Sequence, residues 1–331
     1  MIDLDSKDRK ILYLLHKNCR LSNSQIGRMV RLSKDGVKYR VNNFVKDGLV
    51  RGFFLNIGIT TMGYVNFIVY IRLHNTDDKR LANLLNSVKQ KNYVIYCATC
   101  LGKWDISLQI LSRSILTFEK YLNEIIDIIG PQLSDYYTFI SFKEYKVYSN
   151  IIDEYFKGVK LKYIPKYRKP FNKIKLDELD KKILYLLAEN ARMPLYIIAK
   201  KTNKSMDVVR YRQNKLEDNG YMFSYDILLD NSKFGYAMNL LFLYIHNMTG
   251  TRESELSIFF QRNPYIRWAH KTISQQVILV ETLTNSQKLF QNLINELKNK
   301  FSDIIVSYDS ILEIENHKDI TIPNLDEMDA S

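Results

Sequence analysis

The segment LDSKDRKILYLL at 4–15 returns as LDELDKKILYLL at 176–187, identical at nine of twelve positions. Aligned without gaps, residues 4–75 match 176–247 at 23 of 72 positions. The matches include Asn18/Asn190, Arg20/Arg192, Ser33/Ser205, Tyr39-Arg40/Tyr211-Arg212, Gly48/Gly220 and Gly63-Tyr64/Gly235-Tyr236. A shared apolar period can bring Leu and Ile into register, but it cannot do so for Gly, Ser and Arg. The chain is therefore a duplication, and any fold assigned to one half must serve the other.

Each copy carries its own punctuation. Asp5 can cap a helix whose apolar positions Ile11, Leu12, Leu14 and Leu15 fall on one side. Ser22-Asn23-Ser24-Gln25 has capping-box form and opens a short second helix through Ile26, Met29 and Val30. Ser33 caps a third helix, in which Val37, Val41, Phe44 and Val45 form a stripe facing inward. The short connection Arg31-Leu32-Ser33 is the turn of a helix-turn-helix. Gly48 ends the third helix, and LVRGFFLNIGI after it suits a strand pair, the wing.

After Gly63 the pattern changes to strand, helix, strand, strand, helix, strand, and the second copy repeats the order after Gly235. That order is the split form of an antiparallel sheet with helices on one face. The strands are apolar at nearly every position, so both sheet faces need cover, one from the helices and one from a second sheet. The expected class is α+β: two winged helix-turn-helix domains alternating with two ferredoxin-like βαββαβ domains. The boundaries are 1–60, 61–150, a basic linker at 151–175, 176–230, 231–317 and an acidic tail at 318–331.

Charge is unevenly spread. The total is +12, of which residues 1–60 carry +7 and residues 157–175 carry +8, while 176–230 is neutral. Two basic stretches, each beside a repeat, suggest a polyanionic partner. The stretch 157–175 could lie along a phosphate backbone or serve as a stiff spacer. No apolar run is long enough for a membrane span, and the acidic start lacks the regions of a signal peptide, so a cytoplasmic protein is expected. Cys97 and Cys100 lie three apart on a strand and point to opposite faces, which suits buried thiols better than a metal site. His16, His74, His246, His270 and His317 are scattered; no cofactor or metal is expected.

With these residues in place, the pattern LD..D..IL..L..N.R.....I......S...V..R........G, read at 4–48 and again at 176–220, resembles the Lrp/AsnC transcription regulators. The resemblance extends over nearly the whole chain in a tandem form. It implies sequence-specific binding of double-stranded DNA, self-association through the β-sheet domains, and an amino-acid effector. In a helix-turn-helix the third helix enters the major groove. Its exposed face in the first copy offers Lys34, Asp35, Lys38, Tyr39 and Asn42, after the cap at Ser33. Lysine can donate to guanine and asparagine can pair with adenine. Arg28, Arg31, Arg40 and Arg51 flank this face and suit phosphates. The second copy presents Met206, Asp207, Arg210, Tyr211 and Asn214, with Arg212 adjacent. Its neutral module should bind more weakly alone.

Gly102-Lys103-Trp104-Asp105 resembles the turn that borders the family's effector site, which implies Gly102, Asp105 and Thr99 as effector contacts; a plain hairpin turn is the other reading. The second copy has Ile273-Ser274-Gln275-Gln276 there. Two further functions stay open. Sirohaem decarboxylases resemble this family and hold a multi-carboxylate macrocycle with His and Arg, but the strands here carry Asn66, Tyr70, Cys97, Thr99 and Gln109, with RWAH at 267–270 as an exception. The other is a sensing or assembly protein without DNA binding.

Overall fold

The computed structural model describes residues 4–59, 62–146, 156, 159, 172–273, 277–320 and 322. Most of the basic linker, most of the tail and residues 274–276 lie outside the described residues. The chain divides into two compact units.

The first unit contains residues 4–59 and 172–233. Its first copy holds α1 (Ser6–Lys17), α2 (Asn23–Val30), α3 (Lys34–Lys46) and β1 (Val50–Ile57). The second holds α6 (Glu178–Glu189), α7 (Leu195–Thr202), α8 (Met206–Asp218) and β6 (Met222–Leu229). Side-chain oxygens stop the chain where helices begin: Asp5, Ser22 and Ser33 cap the first three, and Asp177 and Ser205 cap α6 and α8. Pro194 stands where Ser22 would be and gives α7 no side-chain cap. Val37, Val41 and Phe44 are buried, whereas Val45 is exposed.

The wing corrects the expectation of a local strand pair. β1 pairs antiparallel with β6 of the other copy, not with a neighbour in its own module. Each first helix then packs on the other copy's strand, α1 on β6 and α6 on β1. The seal is reciprocal. The N–H of Cys19 donates to the Tyr225 carbonyl and that of Ala191 to the Phe53 carbonyl, both at 3.0 Å. Residues 19 and 191, and 53 and 225, are equivalent by the 172-residue repeat.

The second unit contains β2 (Val65–Leu73), α4 (Asp78–Lys89), β3 (Val94–Leu101), β4 (Ile106–Ser112), α5 (Ile115–Ile129) and β5 (Leu133–Lys146). It continues with β7 (Ala237–Ile245), α9 (Gly250–Arg262), β8 (Ile266–Thr272), β9 (Val277–Thr284), α10 (Gln287–Lys300) and β10 (Ile305–Asp319). The two βαββαβ runs do not form two separate ferredoxin-like sheets, and that expectation is corrected. All eight strands join one closed barrel in the order β10-β3-β4-β2-β5-β8-β9-β7. The seams between halves are antiparallel ladders, β10 on β3 and β5 on β8. A sheet with an unpaired edge exposes backbone donors and acceptors, and closure satisfies them.

Closure also explains the apolar strands. One strand face meets the helices: Leu241, Leu243, Ile278 and Val280 pack with Phe259, Phe260 and Leu297. The other meets the barrel interior, where Ile68, Tyr70, Phe139, Leu240, Phe242, Leu279 and Ile311 gather. The repeat equivalents Tyr70 and Phe242 meet edge to face, with ring centroids 4.8 Å apart.

Candidate nucleic-acid interface

The buried stripe of α3 fixes its outward face. With Val37, Val41 and Phe44 turned inward, Lys34, Asp35, Lys38, Tyr39 and Asn42 are exposed. Tyr39 and its equivalent Tyr211 are each 68% exposed, which leaves both rings available to a partner. Ser33 serves as the cap: its hydroxyl accepts from the N–H of Gly36 at 3.0 Å. Arg28 and Arg31 are exposed on α2 and the turn, and Arg51 is exposed on β1. Arg31 takes the left-handed conformation that closes α2, and its carbonyl accepts from Lys7 Nζ at 3.2 Å.

Two expected phosphate ligands have another duty. The Arg40 guanidinium contacts Asp5 at 2.7 Å and Asp8 at 2.6 Å. Arg212 contacts Asp177 at 2.7 Å and Asp180 at 3.2 Å. Each arginine ties a recognition helix to the capping box of the first helix in its module. The Asp180 N–H and Arg212 hold the Asp177 carboxyl below its ordinary value. At Asp5, desolvation pushes upward, but the Asp8 N–H, Arg40 and the Lys7 N–H prevail and lower it.

On α8, Met206, Asp207, Arg210, Tyr211 and Asn214 are exposed. Asp207 holds Arg210 at 2.8 Å on the helix surface. Gln213, which replaces Val41, is buried and donates to Glu217 at 2.9 Å and Tyr225 at 3.1 Å.

The sequence reading missed the residues that join the modules. Arg20 donates to the carbonyls of Ala191 (2.8 Å) and Met193 (3.3 Å) and lies over the Tyr225 ring. Arg192 donates to the Cys19 carbonyl and to Asn23, both at 2.8 Å, and lies over the Phe53 ring. Their identity in both copies was the available signal. His16 adds a contact with Asp226 at 2.7 Å that the repeat does not duplicate, because Ala188 and Phe54 stand at the equivalent positions.

In the barrel unit the expected effector residues stand on the end of β3 and on the turn between β3 and β4. Asp105 accepts from the Leu73 N–H at 2.7 Å. Gly102 has φ +134°, and a Cβ there would stand 3.3 Å from Ile311. Thr99 lies across the strand from Cys100 and contacts His317 at 3.3 Å. Trp104 is buried among the interior aromatics. Cys97 and Cys100 are buried free thiols, and burial pushes Cys97 up to about 12. A separate polar group lies among the strands: Arg267 pairs with buried Glu281 at 2.7 Å, and Tyr96 donates to Glu313 across the β3–β10 seam. His270 is fully buried against Trp268, with ring centroids 3.9 Å apart, and burial lowers it to about 3.

Residues 4–51 match a winged helix-turn-helix DNA-binding profile and 176–217 an AsnC-type helix-turn-helix profile. Residues 66–151 match the Lrp/AsnC ligand binding domain. The chain is 30% identical over 126 residues to a proline dehydrogenase transcriptional activator of Rhodobacter capsulatus, covering 38% of this chain and 82% of the relative. The chain belongs to the Lrp/AsnC family. Another relative is the HTH-type transcriptional regulator LrpB of Bacillus subtilis (strain 168), 28% identical over 144 residues, covering 44% of this chain and 94% of that protein. Among solved structures, the siroheme decarboxylase NirDL shares the fold with a TM-score of 0.60 at 14% identity, covering 96% of this chain and 94% of that one. This Lrp/AsnC chain is similar in fold to NirDL along its length and similar in sequence to the regulators over less than half of it. Among the described residues no helix is long and apolar enough to cross a membrane.

Proposed function

We propose that the chain is a tandem Lrp/AsnC regulator that binds double-stranded DNA in a sequence-specific way, with α3 as its main reading element. The observation that carries this is the outward face of α3. Lys34, Lys38 and Asn42 are exposed on a helix whose other face is buried and whose start is capped. Lys38 suits guanine O6 or N7, and Asn42 suits the N6/N7 edge of adenine. Arg28, Arg31 and Arg51 then meet phosphates and set the register. Ser33 supports the site as the cap, and Arg40 and Arg212 hold the helices in place. On α8, Arg210, Tyr211 and Asn214 form the weaker second face. The barrel takes the assembly and sensing roles. Exposed apolar side chains recur there at equivalent positions, Leu101 with Ile273 and Phe142 with Ile314, and these suit self-association. An amino-acid effector at Thr99, Gly102 and Asp105 belongs to the proposal, with the free oxygen of Asp105 facing its ammonium group.

The test is a titration of duplex into the full chain at several salt concentrations, with and without single-stranded competitor. Saturable duplex binding that weakens linearly in log–log form with salt is expected, and R28A/R31A should flatten that slope by about 2. Absence of duplex binding at low salt would leave a sensing or assembly protein instead.

The fold of NirDL keeps a decarboxylase reading in view, and Arg267 and His270 on β8 are the residues that would favour it. The local charge speaks against a multi-carboxylate ligand beside them. Arg267 is already neutralised by Glu281, and Glu313 adds a second carboxyl. A visible-absorption titration with sirohaem should therefore show no saturable binding.

A further inference from the structure

The first unit presents its two recognition helices as a fixed pair. β1 and β6 form one ladder, and the bonds from Cys19 to Tyr225 and from Ala191 to Phe53 mirror each other. Arg20 and Arg192 mirror each other as well. Two identical helices in such a frame would have to read a palindrome, because the protein's two-fold axis is imposed on the DNA. Here the frame is nearly symmetric but the reading surfaces are not.

Resting on the DNA-binding reading above, we infer that the target of this chain is an asymmetric duplex with two unequal half-sites, which the chain binds in one orientation. Equivalent positions that are exposed or, at Gly36, half-buried fall into two sets. Asp35/Asp207, Tyr39/Tyr211 and Asn42/Asn214 are identical. Lys34/Met206, Gly36/Val208 and Lys38/Arg210 differ. Met206 and Val208 are 48% and 39% exposed, so the start of α8 offers an apolar surface where α3 offers lysine and glycine. Apolar side chains suit the thymine methyl group, whereas lysine suits guanine. The half-sites therefore share an adenine opposite Asn42 and Asn214 and diverge opposite the start of each helix, guanine facing Lys34 in the first and thymine facing Met206 and Val208 in the second. Support from phosphates is also unequal. Arg28 and Arg31 in the first module correspond to Lys200 and Asn203 in the second, and the first module carries the net positive charge. The first half-site contributes more of the affinity, and the second sets the direction.

The experiment selects bound duplexes from a random pool with the full chain. It then compares the selected site with two palindromes, each built from one half. Wild type should prefer the mixed site over either palindrome by at least about tenfold, the discrimination of a single base contact. M206K/R210K gives α8 the two lysines of α3 and should move the preference to the first palindrome; V208G is added in a second variant, and circular dichroism reports helix content for both. Selection of two equal half-sites, or of one half-site alone, overturns the inference while leaving DNA binding intact. Recovery of no duplex at all overturns the DNA-binding reading itself.

Discussion

From sequence, Arg40 and Arg212 are basic residues on a recognition helix and suit phosphates; in the fold each is held by two aspartates of a neighbouring helix cap. The difference decides what their removal does. Asp8 keeps some exposure, but Asp180 has none and would keep only Lys215, at 3.6 Å, as a cationic partner. Arg40→Ala is therefore expected to cost about 1 kcal/mol and Arg212→Ala about 2 kcal/mol, measured by urea denaturation. The salt slope of DNA binding should be unchanged in both. Glu313 gives a second expectation at this scale. Burial raises its carboxyl to about 7, despite the opposing hydrogen bond from Tyr96. A carboxyl raised in the folded state contributes fully below the unfolded value near 4.5 and loses that contribution as pH rises toward 7. The Glu313 contribution should fall by about 2 kcal/mol across that window, read as the difference between wild type and Glu313→Gln, because buried His270 gains stability with rising pH in both.

At the scale of elements, the link between modules rests on β1 with β6 and on the two crossing arginines. Arg20→Ala and Arg192→Ala should each lower stability by about 2 kcal/mol, since each removes charged hydrogen bonds to buried carbonyls. The larger effect is expected for Arg192, whose donors also satisfy Asn23. Helices were legible in the sequence because their signals are local. Asp5, Ser22 and Ser33 start them, and the spacing of Val37, Val41 and Phe44 fixes the buried side. Strands were legible as strands, and their two apolar faces required two layers of cover. Partners were not legible. Nothing in Val50–Ile57 states that it pairs with Met222–Leu229 of the other copy, and nothing in Leu101 or Lys318 states that β3 and β10 close a barrel. Alternation specifies which face is buried, while edge pairing depends on backbone groups that every residue carries. The duplication implied a symmetric pair, and only the fold shows that the pair forms by exchange of strands. The same holds for the arginines, where identical residue type concealed two different duties, a clamp for Arg40 and a free surface for Arg28.

For the whole molecule, duplication has put two recognition helices and two sets of sheet strands on one chain, and the copies have diverged. One module is basic and the other neutral; one turn carries Gly102 and Asp105 and the other Ile273. The central claim is that the exposed face of α3 enters a groove of duplex DNA. The most direct measurement is the affinity of the full-length K34A/K38A/N42A variant for a duplex selected by the wild-type chain, beside a thermal unfolding curve of the same sample. The expected result is a loss of at least about 100-fold, with the preference for the selected bases gone and the unfolding curve unchanged. An unchanged affinity with the same base preference, in a sample that unfolds like wild type, would contradict it.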